Sequence, residues 1–271
     1  MKYVTFLLAI LLFPSLAFSQ VNAGNTSLHA KEVSMDLEAF QQNVELAYWL
    51  YQYDMVAWRT SDSLLASTDP AVRELTREWF CYEDSAGIWH AVYGKYDTGY
   101  YQPLFHYILN DSTSKVSRVK EEVDTSLSQA YARSLTLGYD KLAQVMANYG
   151  IRFNAYLRRL PNNCIELWFL PAWQPDGRTI YGAEFKYVFD PQGKRLLSKI
   201  ERFDKLRALT PDRSTVVQLD YQKHKIPPVG SIFFLWSYNR YFGEISIKHF
   251  YGKTSLSKAG DEWIWIHEEG G

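Results

Sequence analysis

Tyr82, His90 and His106 are the residues of this chain whose types and spacing could do chemistry together. Two short segments set their relation: Asp84-Ser85-Ala86-Gly87-Ile88 and Tyr96-Asp97-Thr98-Gly99-Tyr100. Each places a glycine third in a three-residue connection, where a type I turn followed by a bulge requires positive φ. Loop length fixes strand register. Loops at 85–87 and 97–99 pair Tyr82 with His90 and His90 with His106, in one row across three strands. Opposed Cβ atoms in such a row lie about 5 Å apart, close enough for two imidazoles to share a proton or hold one metal. These three are the candidate catalytic residues of a hydrolase, metal-dependent or not. No metal site is assigned, because a catalytic zinc takes three protein ligands and the sequence supplies no third. The same face carries Phe80, Val92 and Ile108, so the histidines also read as hydrogen-bonded members of a core.

The C-terminal hairpin offers binding chemistry instead. Pairing about a loop at 258–260 places Trp263, Trp265 and His267 on one face with Tyr251 and Lys253, while Leu256, Ile264 and Ile266 point the other way. Rings interleaved with polar groups form a platform for a sugar or peptide, since a flat ring gives contact area at little entropic cost. Helices lying on that face would instead bury both indoles. Asp54 and Asp62 are eight positions apart on a helix, about 12 Å along its axis and about 80° around it, so they do not form a carboxylate pair. Anchoring of a helix end suits them better.

The remaining motifs are negative. The chain contains no His-Glu-x-x-His, no Gly-x-Ser-x-Gly and no Gly-rich dinucleotide loop, and no cofactor is implied. Gly252-Lys253-Thr254 lacks the first glycine of a phosphate loop, Ile247 standing in its place. With 29 basic and 30 acidic residues the chain has a net charge of -1, which gives no basic footprint for nucleic acid. Cys81 and Cys164 could close a disulfide in an oxidising compartment, or remain separate buried thiols; spacing leaves both open.

The elements that must position these groups follow from patterning. Residues 1–19 run from a short positive start through an apolar stretch to Ala17-Phe18-Ser19, the order of a cleavable secretory leader too short to span a bilayer. An exported protein, periplasmic or extracellular, is expected, with a disordered stretch at 20–31 and a single domain over 32–271. No later segment is apolar enough for a membrane span. Leu37, Phe40, Val44, Tyr48, Tyr51, Met55 and Trp58 recur in steps of three and four, predicting an amphipathic helix with these residues inward. A second long helix is expected over 123–149, stopped by Gly150.

Aromatic residues make up 16% of the chain, 20 of them Tyr, which favours strands. Strands are expected at 78–84, 88–96, 100–109, 151–160, 164–171, 181–190, 194–203, 214–222, 231–238, 244–251 and 261–268. The fold class read from this is α+β: one large curved antiparallel sheet of hairpins joined by glycine-containing three-residue turns, packed by the two helices. The expected function is non-catalytic binding of a glycan, peptide or envelope partner through an aromatic sheet surface, with the hydrolase built on His90 and His106 as the alternative.

Overall fold

The computed structural model describes residues 35–110, 115–260 and 262–270. The expected leader and the 20–31 stretch lie outside the described residues. From Met35 onward the chain forms one compact unit.

Asp36 opens helix α1, Leu37–Leu65, by accepting the Ala39 amide at 3.0 Å, and so satisfies one of the amide donors that a helix start leaves unpaired. A 3-10 turn at Pro70–Glu74 leads to β1 (Phe80–Glu83), β2 (Trp89–Asp97), β3 (Tyr100–Asn110) and β4 (Lys115–Arg118). Asp124 caps helix α2, Thr125–Met146, which passes through a 3-10 turn and ends at Gly150, left-handed with φ 62°. There follow β5 (Phe153–Arg159), β6 (Ile165–Pro171), β7 (Thr179–Phe189), β8 (Leu196–Leu209) and β9 (Val216–Asp220). Helix α3 (Val229–Tyr238) then runs into a 3-10 turn at Asn239–Tyr241, before β10 (Glu244–His249), β11 (Gly252–Ala259) and β12 (Glu262–Glu269).

The architecture is α+β. The strands are divided among three four-stranded sheets, ordered β1-β2-β3-β4, β5-β6-β7-β8 and β12-β11-β10-β9, where a single large sheet was expected. All pairings are antiparallel except β9 with β10, whose connection carries α3. The segment expected as a strand at 231–238 is that helix. Ile232-Phe233-Phe234-Leu235-Trp236 is a short continuous apolar run with no period to read, so tertiary surroundings decide its conformation. It is buried on nearly all sides, with Ile232 and Leu235 fully enclosed.

The core has two regions. One gathers α1 and α3 with Trp89, Phe105, Tyr156 and Ile247; the other lies under α2, with Phe80, Tyr131, Leu167, Phe185 and Phe189. In α1 the buried positions are Phe40, Val44, Ala47, Leu50, Tyr53, Val56 and, beyond them, Ala57, Thr60 and Leu64. From Ala47 to Val56 they advance by threes, each step lagging about 60° behind a full turn, so the buried stripe migrates around the helix. Tyr48 and Trp58, expected inward, are consequently 43% and 52% exposed.

Candidate functional site

The register around the histidines differs from expectation at two points that add. Tyr82 does face His90. The next connection is a two-residue turn, Thr98 at φ 47° and Gly99 at φ 84°, both left-handed as a type I′ turn requires, and Asp97 faces Tyr100. A bulge beside Gly94 then shifts the pairing again, so that His106 faces Val92 and His90 faces Ile108. Two displacements preserve the face, and the rings meet diagonally: His90 Nδ1 lies 2.8 Å from His106 Nε2.

Both histidines are buried and all four of their ring nitrogens are engaged. His106 Nδ1 lies 3.1 Å from the Glu121 carbonyl, which can only accept, so the proton sits on Nδ1 and Nε2 accepts from His90. His90 Nε2 faces Asp84 Oδ2 at 3.2 Å, and Asp84 Oδ1 takes the amides of Ala86 and Ile88. The Tyr82 ring stacks on His90, centroids 4.6 Å apart and planes 2° off parallel. The chain ties β2 and β3 to the segment before α2. Among the described residues no group of three His, Cys, Asp or Glu is disposed to hold a metal ion.

These groups set a pH dependence of stability. Burial depresses the His106 imidazole, with neighbouring His90 adding to the effect, and burial likewise depresses His249 and His267. A histidine whose folded pKa lies below its unfolded value of about 6.5 favours the neutral fold above that value and loses stability as pH falls through it. Asp84 is lowered chiefly by the Ile88 amide, so its contribution is lost only at more acid pH. Unfolding temperature is therefore expected to fall on acidification from pH 7 to pH 5. Differential scanning calorimetry should show a flatter slope for His106→Asn, and an equal slope would refute the assignment.

The terminal hairpin is displaced by an odd number of positions. Ala259 faces Glu262, Leu256 faces Trp265 and Thr254 faces His267, so Trp263, Trp265 and His267 lie opposite the face of Tyr251 and Lys253. The five expected binding residues do not converge. Trp265 meets Phe40 edge-on at 5.4 Å and His267 meets it at 4.8 Å, so this side of the hairpin covers α1. Lys253 pairs with Glu268 at 3.0 Å on the far side. Trp263 remains 45% exposed at the end of the face. Cys81 and Cys164 are separate buried thiols, and no disulfide joins them.

What the tertiary structure does assemble is a cleft of about 540 Å³ between α1, β5 and the end of α3, within the usual range for small-ligand sites. Helix α1 supplies Tyr51, Asp54 and Trp58, at i, i+3 and i+7 on the side its buried stripe has vacated. Trp79 stacks on Tyr93 at 5.8 Å, and Trp173 meets Tyr241 edge-on at 4.9 Å. Trp173 and Trp58 are 40% and 52% exposed at the walls. The Arg240 guanidinium lies 4.8 Å from the Tyr241 ring centre and 5.9 Å from that of Trp58.

Asp54 is the single carboxylate among the lining residues. Its Oδ1 accepts from Asn154 Nδ2 and from the Tyr156 hydroxyl, both at 3.0 Å; its Oδ2 has no donor among the described residues. Burial raises the Asp54 pKa against the opposing pull of those two donors, and burial together with Asp54 pushes Tyr156 well up. Asp54 thus anchors no helix end: α1 continues unbroken to Leu65, and the side chain turns to β5 in mid-helix. Ser237 also lines the cleft; its Oγ is buried and has no hydrogen-bond partner among the described residues.

The end of α3 is positioned from its start. Pro228 has no capping side chain, and Glu184 of β7 serves instead, accepting the Gly230 amide at 2.5 Å while pairing with Arg202. A Cβ at Gly230 would sit 2.9 Å from that carboxylate oxygen, so glycine is what lets the helix start approach it. Sequence reading missed Asn154, Trp173, Ser237, Arg240 and Tyr241. One signal was available: a carboxylate at Asp54 set on the same helix face as Tyr51 and Trp58.

Among the described residues no helix is long and apolar enough to cross a membrane. The chain matches no protein-family model, no curated protein and no solved structure.

Proposed function

We propose that this is a non-catalytic binding protein whose site is the aromatic cleft over Asp54. The observation that carries the reading is a carboxylate desolvated by burial, with one oxygen uncommitted among the described residues, in a cleft whose walls hold the half-exposed Trp58 and Trp173. A buried charge with a perturbed pKa in a cleft costs stability, and such costs concentrate at functional sites. A single carboxylate does not furnish the acid and base pair of glycoside hydrolysis, which supports binding over turnover. The hydrolase built on His90 and His106 has less support, because their ring nitrogens are already committed to internal bonds. The leader-like order of residues 1–19 supports an exported, periplasmic or extracellular location.

The test is a glycan array and a peptide array probed with the purified chain and with Trp58→Ala, Trp173→Ala and their double variant. Both indoles are 40% exposed or more, so unfolding temperature should move by less than about 3 °C, in line with substitutions away from the core. Binding should weaken at least tenfold for each indole, as for an aromatic anchor worth about 2 kcal/mol. Retained binding in the double variant would place the ligand elsewhere.

A further inference from the structure

The rings do not stop at the cleft. Tyr48, Tyr51, Met55 and Trp58 follow one face of α1 in steps of three, four and three, covering about 15 Å of helix. Tyr51, which lines the cleft, stacks on Trp236 at 6.3 Å; Tyr48 lies 5.3 Å from Trp236, and Trp236 lies 6.2 Å from Trp263. The cleft is thus continuous with a band of rings that crosses α1 and α3 and ends on β12. Trp58, Tyr48 and Trp263 along it are 52%, 43% and 45% exposed.

The polar groups in the cleft restrict what lies on this band. Asp54 Oδ2 can only accept and Arg240 can only donate. A hydroxyl both donates and accepts at one atom and so meets either need from any position on a sugar rim, whereas an amide divides donor and acceptor between two atoms. The two charges cancel, so the site favours no net charge in its ligand. A quaternary ammonium would compete for ring faces that the Arg240 guanidinium already occupies and would be repelled by it. A pyranose carries hydroxyls around its rim and an apolar C–H face that stacks on rings.

We infer that the ligand is an extended neutral oligosaccharide, one end held over Asp54 and the rest laid along the ring band as far as Trp263. This rests on the cleft being the binding site. Each ring along the band then serves a successive sugar, so affinity is set by chain length as well as by the cleft.

Isothermal titration with neutral glucan, mannan and N-acetylglucosamine series of two to six sugars tests this, with a proline-rich decapeptide and choline as comparison probes. In one of the saccharide series affinity should rise at least tenfold from the shortest member to the longest. Trp263→Ala should remove the last step of that rise, leaving the longest member no tighter than the next shorter one. Tyr48→Ala, on the helix, repeats the test should loss of Trp263 loosen the hairpin, and circular dichroism checks each variant. No gain with length, or a gain insensitive to both variants, overturns the extended site while Asp54-dependent binding of the shortest member keeps the cleft. Binding of the decapeptide or of choline that Asp54→Asn removes, with no saccharide bound, overturns the ligand class and again keeps the cleft. Binding that neither Asp54→Asn nor Trp58→Ala affects removes the cleft reading itself.

Discussion

Replacing Asp54 by Asn is expected to weaken binding in the cleft roughly ten- to a hundredfold while leaving the protein as stable as before or more so. The two effects have one cause. Burial raises the Asp54 pKa, so its ionised form is disfavoured in the fold. A carboxyl whose folded pKa is raised gives its stabilisation below the unfolded value of about 3.9 and loses it as pH rises through the folded value. At neutral pH the charge therefore opposes folding. Asparagine keeps an oxygen for Asn154 and Tyr156 and removes the charge. Binding loses a charged acceptor aimed into the cleft, worth about 1.5–3 kcal/mol or roughly ten- to a hundredfold in affinity. Affinity of the parent chain should also fall with acid at a higher pH than for an ordinary carboxylate. Titration calorimetry beside thermal unfolding decides the matter: a variant that binds normally, or one that loses binding only because it unfolds, would show that Asp54 holds the structure and no ligand.

The second large effect is expected at Glu184, remote from the ligand. Glu184→Ala removes the acceptor at the start of α3 and leaves the Arg202 guanidinium without its partner. Breaking a buried pair costs about 3–5 kcal/mol, but Arg202 is 41% exposed and water offsets part of this, so about 2–3 kcal/mol is expected. That corresponds to a fall of roughly 5–10 °C in unfolding temperature for a domain of this size. Glu184→Gln retains an acceptor for Gly230 and should cost less than half as much. Because α3 carries Ser237 and leads to Arg240, ligand affinity should fall in Glu184→Ala even well below its unfolding temperature. Unaltered affinity there would mean that the end of α3 is held independently of its start.

Some of this arrangement is legible in the residues and some is not. The apolar steps from Leu37 to Trp58 specify a helix, because a period of three to four residues permits little else. They do not specify which side of it is covered. Tyr48 and Trp58 look like core by spacing, yet they face outward because the elements packed on α1 cover one side of its first half and another side of its second. The short turns show the same division. Glycine at position 99 requires a left-handed turn, but whether that turn holds two residues or three depends on Thr98, and one residue exchanges the faces of a strand. Around His106 the Gly94 bulge restored the face, and the histidines still meet; in the last hairpin nothing restored it, and Trp263 parted from Tyr251 and Lys253.

By itself, then, the sequence determined an α+β chain rich in short hairpins, a long amphipathic helix and a second one ending at Gly150, since these depend on local sterics and periodicity. The division into three sheets, the conversion of 231–238 into α3 and the cleft over Asp54 were decided by tertiary structure. Asp54, Asn154, Trp173 and Arg240 are separated by up to 186 positions, and only packing against shared neighbours brings them to one place.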